Sequence, residues 1–300
     1  MKSKNSVLLV VNPVSGGISK EKLVAEIERE IANRPFKLSI YTTTGINDME
    51  SLKNQLVLHR PYRVLVLGGD GTIKLVADVL EGLDISLGIL PAGSANGLAT
   101  HFDLPDDREE QLEIALGAKT ILADRLLVNG NVCLHLADLG INAELIKNYE
   151  QSQIRGKLGY ILQSIPTLFQ CEYPFSFSIE ANGSTREKEG ILLAIANATK
   201  FGTGANINPT GKIDDGKFEL VLFKKLDIIE IIKTIQDAAE IDPDFAEIIS
   251  TDRAVIRSKS GVPLQIDGEY MGESSKVEVK LCPDKLEIAV PSSFGSVLGT

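Results

Sequence analysis

The stretch Val64-Leu65-Val66-Leu67-Gly68-Gly69-Asp70-Gly71-Thr72 decides the fold. Four apolar residues in a row, without alternation, predict a strand covered on both faces. Glycines follow at once, and the segment Thr72 to Leu80 then sets Ile73, Val76, Ala77 and Leu80 on one helical face. A glycine turn from a buried strand into a helix lets the backbone approach a ligand closely. The free amides at the helix start, with the helix dipole, attract phosphate. Taken alone, such a turn is also a plain strand-to-helix connection. Asp70 is costly beside phosphate unless it handles a metal, a ribose or a donated proton.

The same texture extends in both directions. Val7–Val11 is a second unbroken apolar run, followed by Leu23, Ile27 and Ile31 spaced four apart within Ser19–Ala32. Lys37–Thr42 reads as a strand. Asn47 with Glu50 resembles a capping box, Met49, Leu52 and Leu56 share a helical face, and Pro61 stops that helix. Ile85–Leu90 is a further strand, and Asp106 with Glu109 starts a helix that ends at Gly117. Strand and helix in alternation predict a mostly parallel sheet with helices on both faces. Two more loops, Asn12-Pro13-Val14-Ser15-Gly16-Gly17 and Gly88-Ile89-Leu90-Pro91-Ala92-Gly93-Ser94-Ala95-Asn96, accompany predicted strands. With the first loop they meet at one edge of the sheet, where open α/β sheets bind ligands.

After Thr120 the pattern changes. Ile121–Val128 and Val132–Ala137 flank Asn129-Gly130, and Phe175–Glu180 and Ile191–Ala196 flank Asn182-Gly183, both hairpin signals. Short strands are predicted at Phe218–Phe223, Arg253–Arg257, Val277–Leu281 and Leu286–Val290, with helical stretches near Lys157–Phe169 and Leu226–Ala239. The expected architecture is an α/β domain over residues 1–123 and a β-sandwich over 124–290. A tail, 291–300, is free to return to the first domain.

Composition removes several classes. In 300 residues, Asp+Glu number 41 against 31 Lys+Arg, a net charge of −10. Nucleic-acid affinity rests on neutralising phosphates with Lys and Arg, so no nucleic-acid partner is expected, nor a polybasic membrane anchor. The three cysteines, Cys133, Cys171 and Cys282, lie far apart with neither a disulfide framework nor zinc spacing, which fits a reducing cytoplasm. No apolar run approaches the length of a membrane span.

Motif spacing is more specific. GxxxxGK[ST] is absent, GxGxxG does not follow the first strand, and Ala92 breaks GxSxG at Ser94, so P-loop, dehydrogenase and α/β-hydrolase readings fall away. NPVSGG (Asn12–Gly17), GGDGT (Gly68–Thr72) and GILPAGSANGLA (Gly88–Ala99) occur in order. Arg155-Gly156-Lys157-Leu158-Gly159-Tyr160, Ile213-Asp214-Asp215-Gly216 and Ile266-Asp267-Gly268-Glu269 follow. On these motifs the chain resembles the diacylglycerol kinase catalytic-domain family, which includes sphingosine kinases and soluble bacterial lipid kinases. GGDGT alone is shared with NAD kinases.

The resemblance implies a NAD kinase/diacylglycerol kinase-like α/β nucleotide-binding domain followed by a β-sandwich. It implies transfer of the ATP γ-phosphate to a lipid hydroxyl, diacylglycerol or a related lipid, with Mg²⁺, in phospholipid metabolism. Carried over by motif, Asn12, Thr42 of the Thr42-Thr43-Thr44 run, Gly68, Gly69, Asp70, Gly71, Thr72, Ser94 and Asn96 would bind ATP. Glu269 would be the general base, joined by Asp124 in a metal–water network. Asp215, with the main-chain carbonyls of Lys212 and Lys217, would hold a second, structural Mg²⁺. By spacing alone, Asp267-Gly268 and Asp214-Asp215-Gly216 read as turns. Asp124, in an apolar strand, needs a partner or a function. Gly97 stands where bacterial relatives usually carry Asp, and Lys74-Leu75 replaces the usual Asn-Glu. A cytoplasmic enzyme in transient peripheral contact with the inner face of the membrane is expected, with Arg155 and Lys157 as candidate contacts. A homodimer is left open. A non-catalytic nucleotide-binding regulator and a NAD kinase-like enzyme are the alternatives.

Overall fold

The computed structural model describes residues 3–17, 19–94, 96–144, 146, 174–200, 206–225 and 242–295. Contacts divide the chain into two compact units, residues 1–123 with 284–300, and residues 124–283.

The first unit is built on strands β1 (Ser3–Val11), β2 (Lys37–Thr42), β3 (Pro61–Gly68), β4 (Ser86–Pro91) and β5 (Thr120–Ala123), with helices α1 (Lys20–Ala32), α2 (Asp48–His59), α3 (Asp70–Val79), α4 (Gly97–His101) and α5 (Arg108–Leu116). Val7–Val11 and Val64–Leu67 are essentially inaccessible to solvent. Their unbroken apolar runs follow from being sandwiched on both faces. Ile27 and Ile31 of α1 and Ile73, Val76 and Ala77 of α3 are buried, as their spacing predicts.

The sheet order is β2-β1-β3-β4, continued by β16 (Leu286–Ala289) and then β5. β1 to β4 and β16 run parallel, and β5 pairs antiparallel with β16. Leu286–Ala289, expected in the sandwich, is therefore a strand of the first sheet. Its apolar pattern suits either sheet, and only the open edge of β4 selects its place. The segment Ile121–Val128 likewise divides at the buried pair Asp124-Arg125 into β5 and β6 (Leu126–Val128), one for each unit.

Helix starts differ in detail from the pattern. Asn47 has a left-handed backbone and no side-chain cap. Asp48 instead accepts from the backbone of Thr44 and Gly45 and from the Tyr41 hydroxyl. Met49 lies outside the buried stripe formed by Leu52 and Leu56. Asp107, not Asp106, caps α5 by accepting from the Glu110 amide at 3.0 Å.

The second unit continues with β7 (Asn131–Cys133), β8 (Leu136–Gly140), β9 (Phe175–Ala181), β10 (Ser184–Gly190), β11 (Leu192–Ala196), β12 (Phe218–Phe223), β13 (Ala246–Thr251), β14 (Arg253–Ile266) and β15 (Glu269–Leu281). The pairing is antiparallel throughout, in the order β13-β12-β11-β8-β14-β15-β6-β7. Long β14 gives its first half to β9 and its second half to β8. A break in its ladder to β15 lies between Arg257 and Val262. The sheet thereby folds into a sandwich around Phe177, Ile179, Leu193, Phe218, Leu220, Ile256, Leu264 and Val277.

Asn129-Gly130, Asn182-Gly183 and Asp267-Gly268 all have positive φ at both residues, the signature of a tight hairpin turn. Asn182-Gly183, however, joins β9 to the polar strand β10 and not to Ile191–Ala196. β10 is exposed along most of its length, so it lacks the apolar alternation that marks a strand. The predicted helical stretches 157–169 and 226–239, the 155–160 motif and residues 296–300 lie outside the described residues. Among the described residues, no helix is long and apolar enough to cross a membrane.

Candidate active site

The four parallel strands of the first unit end in register. Val11 is level with Thr42 and Leu67, and Gly68 with Pro91. Asn12, Thr42, the turn Gly69–Thr72, Ala92–Ser94 and Asn96 therefore gather at the carboxyl edge. The chain leaves β1 for β2 on one side, and β3 is followed by β4 on the other. The edge between β1 and β3 is thus the topological switch point at which open sheets take ligands.

The loops are in backbone contact. A Cβ on Gly93 would lie 2.4 Å from the Gly69 Cα, and one on Gly16, whose φ is +65°, would lie 2.5 Å from the Ala92 carbonyl oxygen. The Asn12 amide donates to the buried Thr72 hydroxyl at 3.1 Å, joining the loops after β1 and β3. Its oxygen accepts from the Val14 amide. Lys20, buried at the head of α1, donates to the carbonyls of Ser15 at 2.6 Å and Ala92 at 2.9 Å, joining the loops after β1 and β4. Burial, with the nearby Arg108 charge, lowers its pKa. Ser15 donates its hydroxyl to the same Ala92 carbonyl.

Asp70 does something its sequence context does not announce. Its two oxygens accept from the amides of Gly97 at 2.7 Å and Leu98 at 3.1 Å, so the carboxylate caps the start of α4. Asn96 closes the loop after β4 by accepting from the Gly93 amide and donating to the Gly93 carbonyl. Thr42 and Ser94 are exposed. Thr43 is buried, and Thr44, exposed like Thr42, commits its hydroxyl to Ile46 and Asp48.

In the second unit Asp124 and the turns next to Asp215 and Glu269 join one hydrogen-bond network. Buried Asp124 accepts the Gly216 amide at 2.7 Å, and its own amide donates to the Ile213 carbonyl at 2.6 Å, pinning the 213–216 turn. Asn197 donates to the carbonyls of both Asp124 and Leu134. Asp267 accepts three successive amides, those of Leu134, His135 and Leu136. Asp124, the Asp215 turn and the turn ahead of Glu269 are thereby linked. Glu269 itself is exposed, as the first residue of β15. Asp215, Lys212 and Lys217 are also exposed, and Asp215 accepts the Lys217 amide at 3.0 Å.

Lys20, Asn197 and Asp267 hold the loops and turns together, yet the sequence signals assigned no role to Lys20 or Asn197 and marked Asp267 only as a turn residue. Asn197 lies at the end of an apolar strand, the same kind of signal that drew attention to Asp124.

A parallel sheet with glycine loops at its carboxyl edge, followed by an antiparallel sandwich, is the fold shared by the diacylglycerol kinases and NAD kinases. A crystal structure of a diacylglycerol kinase from Bacillus anthracis superposes with a TM-score of 0.73 at 18% identity, covering 98% of this chain and 99% of that one. An NAD kinase from Archaeoglobus fulgidus in complex with ATP gives 0.54 at 12% identity, over 96% and 94%. The family model "Diacylglycerol kinase catalytic domain" matches residues 6–128, and "YegS C-terminal NAD kinase beta sandwich-like domain" matches residues 136–290. A YegS-like protein of Chromohalobacter salexigens, named as a lipid kinase, is 30% identical over 79% of this chain and 78% of its own. A diacylglycerol kinase of Bacillus subtilis is 26% identical over 88% and 89%. The chain belongs to the diacylglycerol kinase catalytic-domain family, with a YegS-type sandwich as its second part.

Proposed function

We propose that the protein is an ATP- and Mg²⁺-dependent lipid kinase that phosphorylates the hydroxyl of diacylglycerol or a related lipid. The observation that carries this reading is the gathering of three glycine-bearing loops at the switch point of the sheet, in a chain whose relatives are named lipid kinases. Backbone amides of Gly69–Thr72 and of the segment around Ser94 and Asn96 hold the phosphates, with Asn12 and Thr42 beside them. In the second unit Glu269 takes the proton of the lipid hydroxyl, and Asp124 supports it.

Asp215, with the carbonyls of Lys212 and Lys217, offers only hard oxygen donors on an exposed turn, a set suited to Mg²⁺, which keeps several of its waters. Mg²⁺ held there would be structural, and Mg²⁺ carried by the nucleotide would neutralise charge on the phosphate oxygens. The enzyme works at the cytoplasmic face of the membrane through brief peripheral contact.

Radiolabelled ATP offered with vesicles of diacylglycerols, sphingoid bases or polyprenols tests the acceptor. Transfer to none of them refutes the proposal. Glu269→Gln is expected to lower kcat by ~10²–10⁴, the worth of a general base. Full activity removes that role. The likeness to an ATP-bound NAD kinase supports a second reading, which formation of NADP⁺ from NAD⁺ would favour.

A further inference from the structure

Asp138 is a fully buried carboxylate to which none of the roles above gives a task. It lies in β8, opposite Gln265 of β14 and Ala194 of β11. Alternation along β8 puts it on the face of Leu136, which packs with Ala194, Val221 and Phe223. An apolar side chain suits that environment better than a carboxylate. A carboxylate can do one thing there that an apolar group cannot, which is to accept from two side-chain amides at once. Its Oδ2 accepts from Gln265 Nε2 and from Asn142 Nδ2, each at 2.5 Å.

Gln265 then presents its Oε1 away from Asp138, where it accepts the Gly268 amide at 2.8 Å. Reversing that side-chain amide would set oxygen against carboxylate and NH₂ against N–H, so the orientation is determined. Gly268 immediately precedes Glu269. The turn is thus gripped twice, by Asp267 on the amides of residues 134–136 and by Gln265 on Gly268. The second grip depends on Asp138.

We propose that Asp138 is a positioning residue that holds, through Gln265, the turn presenting Glu269. The proposal rests on the reading of Glu269 as the proton acceptor.

The full-length protein is compared with Asp138→Leu, Asp138→Asn, Gln265→Leu and Asp138→Leu/Gln265→Leu, well below the melting temperature of the least stable. Hydrogen exchange of the Gly268 amide and steady-state kinetics with diacylglycerol vesicles are measured. Asp138→Leu is expected to speed Gly268 exchange about tenfold, the worth of one lost hydrogen bond. It should lower kcat about 10–100-fold by misplacing the reacting group, with the KM for ATP unchanged. Asp138→Asn keeps an acceptor oxygen and should restore both. The double variant should be no worse than either single one. If Asp138→Leu does not fold, Gln265→Leu carries the same expectations.

Unchanged Gly268 exchange, equal kcat losses in the Leu and Asn variants, or losses that multiply in the double variant would overturn the proposal. Full activity in Glu269→Gln would overturn the proton-acceptor reading and with it the catalytic purpose of the grip. Faster Gly268 exchange in Asp138→Leu would then locate the failure in Glu269 and not in the Asp138 link.

Discussion

Asp138 should make the stability of the protein fall as pH rises toward neutrality, and Asp138→Asn should abolish that dependence. Burial raises its pKa from 3.8 to about 7, and the amides of Gln265, Asn142 and Ala143 offset only part of the shift. Between those two values the folded chain binds more protons than the unfolded one, so the stabilisation is complete below 3.8 and is lost as pH climbs through 7. A separation of about three pH units corresponds to about 4 kcal/mol, of which about 2 kcal/mol is lost between pH 5 and pH 7. Asn keeps the shape and an acceptor oxygen but cannot ionise. Urea unfolding of both proteins, followed by far-UV circular dichroism at pH 5, 6, 7 and 8, measures the difference. The advantage of Asp138→Asn over the parent should grow by about 2 kcal/mol from pH 5 to pH 7 and level off above pH 7. A constant difference across the series would refute the reasoning, because it would mean that Asp138 keeps one protonation state throughout.

Gly93→Ala places a Cβ 2.4 Å from the Gly69 Cα and should cost about 1–3 kcal/mol by forcing two backbones apart. Gly71→Ala has nothing within 4 Å of the new atom and should be close to neutral, and thermal denaturation of the pair checks the contrast. Lys20→Met removes the two hydrogen bonds that join the loops after β1 and β4. Calorimetric titration with ATP should show affinity reduced about tenfold, and unchanged affinity would exclude a part for Lys20 in shaping the site. Arg63→Met leaves the carbonyls of Ala115 and Gly117, at the end of α5, without their buried guanidinium donor. A loss of about 2–4 kcal/mol is expected in denaturant unfolding.

Much of this protein follows from its sequence because the controlling physics is local. Val7–Val11 and Val64–Leu67 are unbroken apolar runs because both faces are covered. Asn129-Gly130, Asn182-Gly183 and Asp267-Gly268 turn tightly because these residues tolerate positive φ. The three glycine-bearing loops, in order and at the right spacing, carried the family resemblance and predicted the edge where they meet.

Other features depend on which distant segments come together, and a residue does not encode its partner. Leu286–Ala289 is as apolar as a sandwich strand, yet it fills the place between β4 and β5. β10 is a strand because β9 supplies its hydrogen bonds and not because of any pattern of its own. Asp70 reads as a ligand group in sequence, and folding brings the amides of Gly97 and Leu98, 27 and 28 residues away, to its carboxylate. Asp138 and Gln265 are 127 residues apart and meet only because β8 and β14 pair in one register. Sequence alone determined most of the strands and helices, the three tight turns and the family resemblance. The tertiary structure decided which carboxylates are held by backbone amides, which are buried and which face solvent, because those fates are set by neighbours that only the folded chain provides.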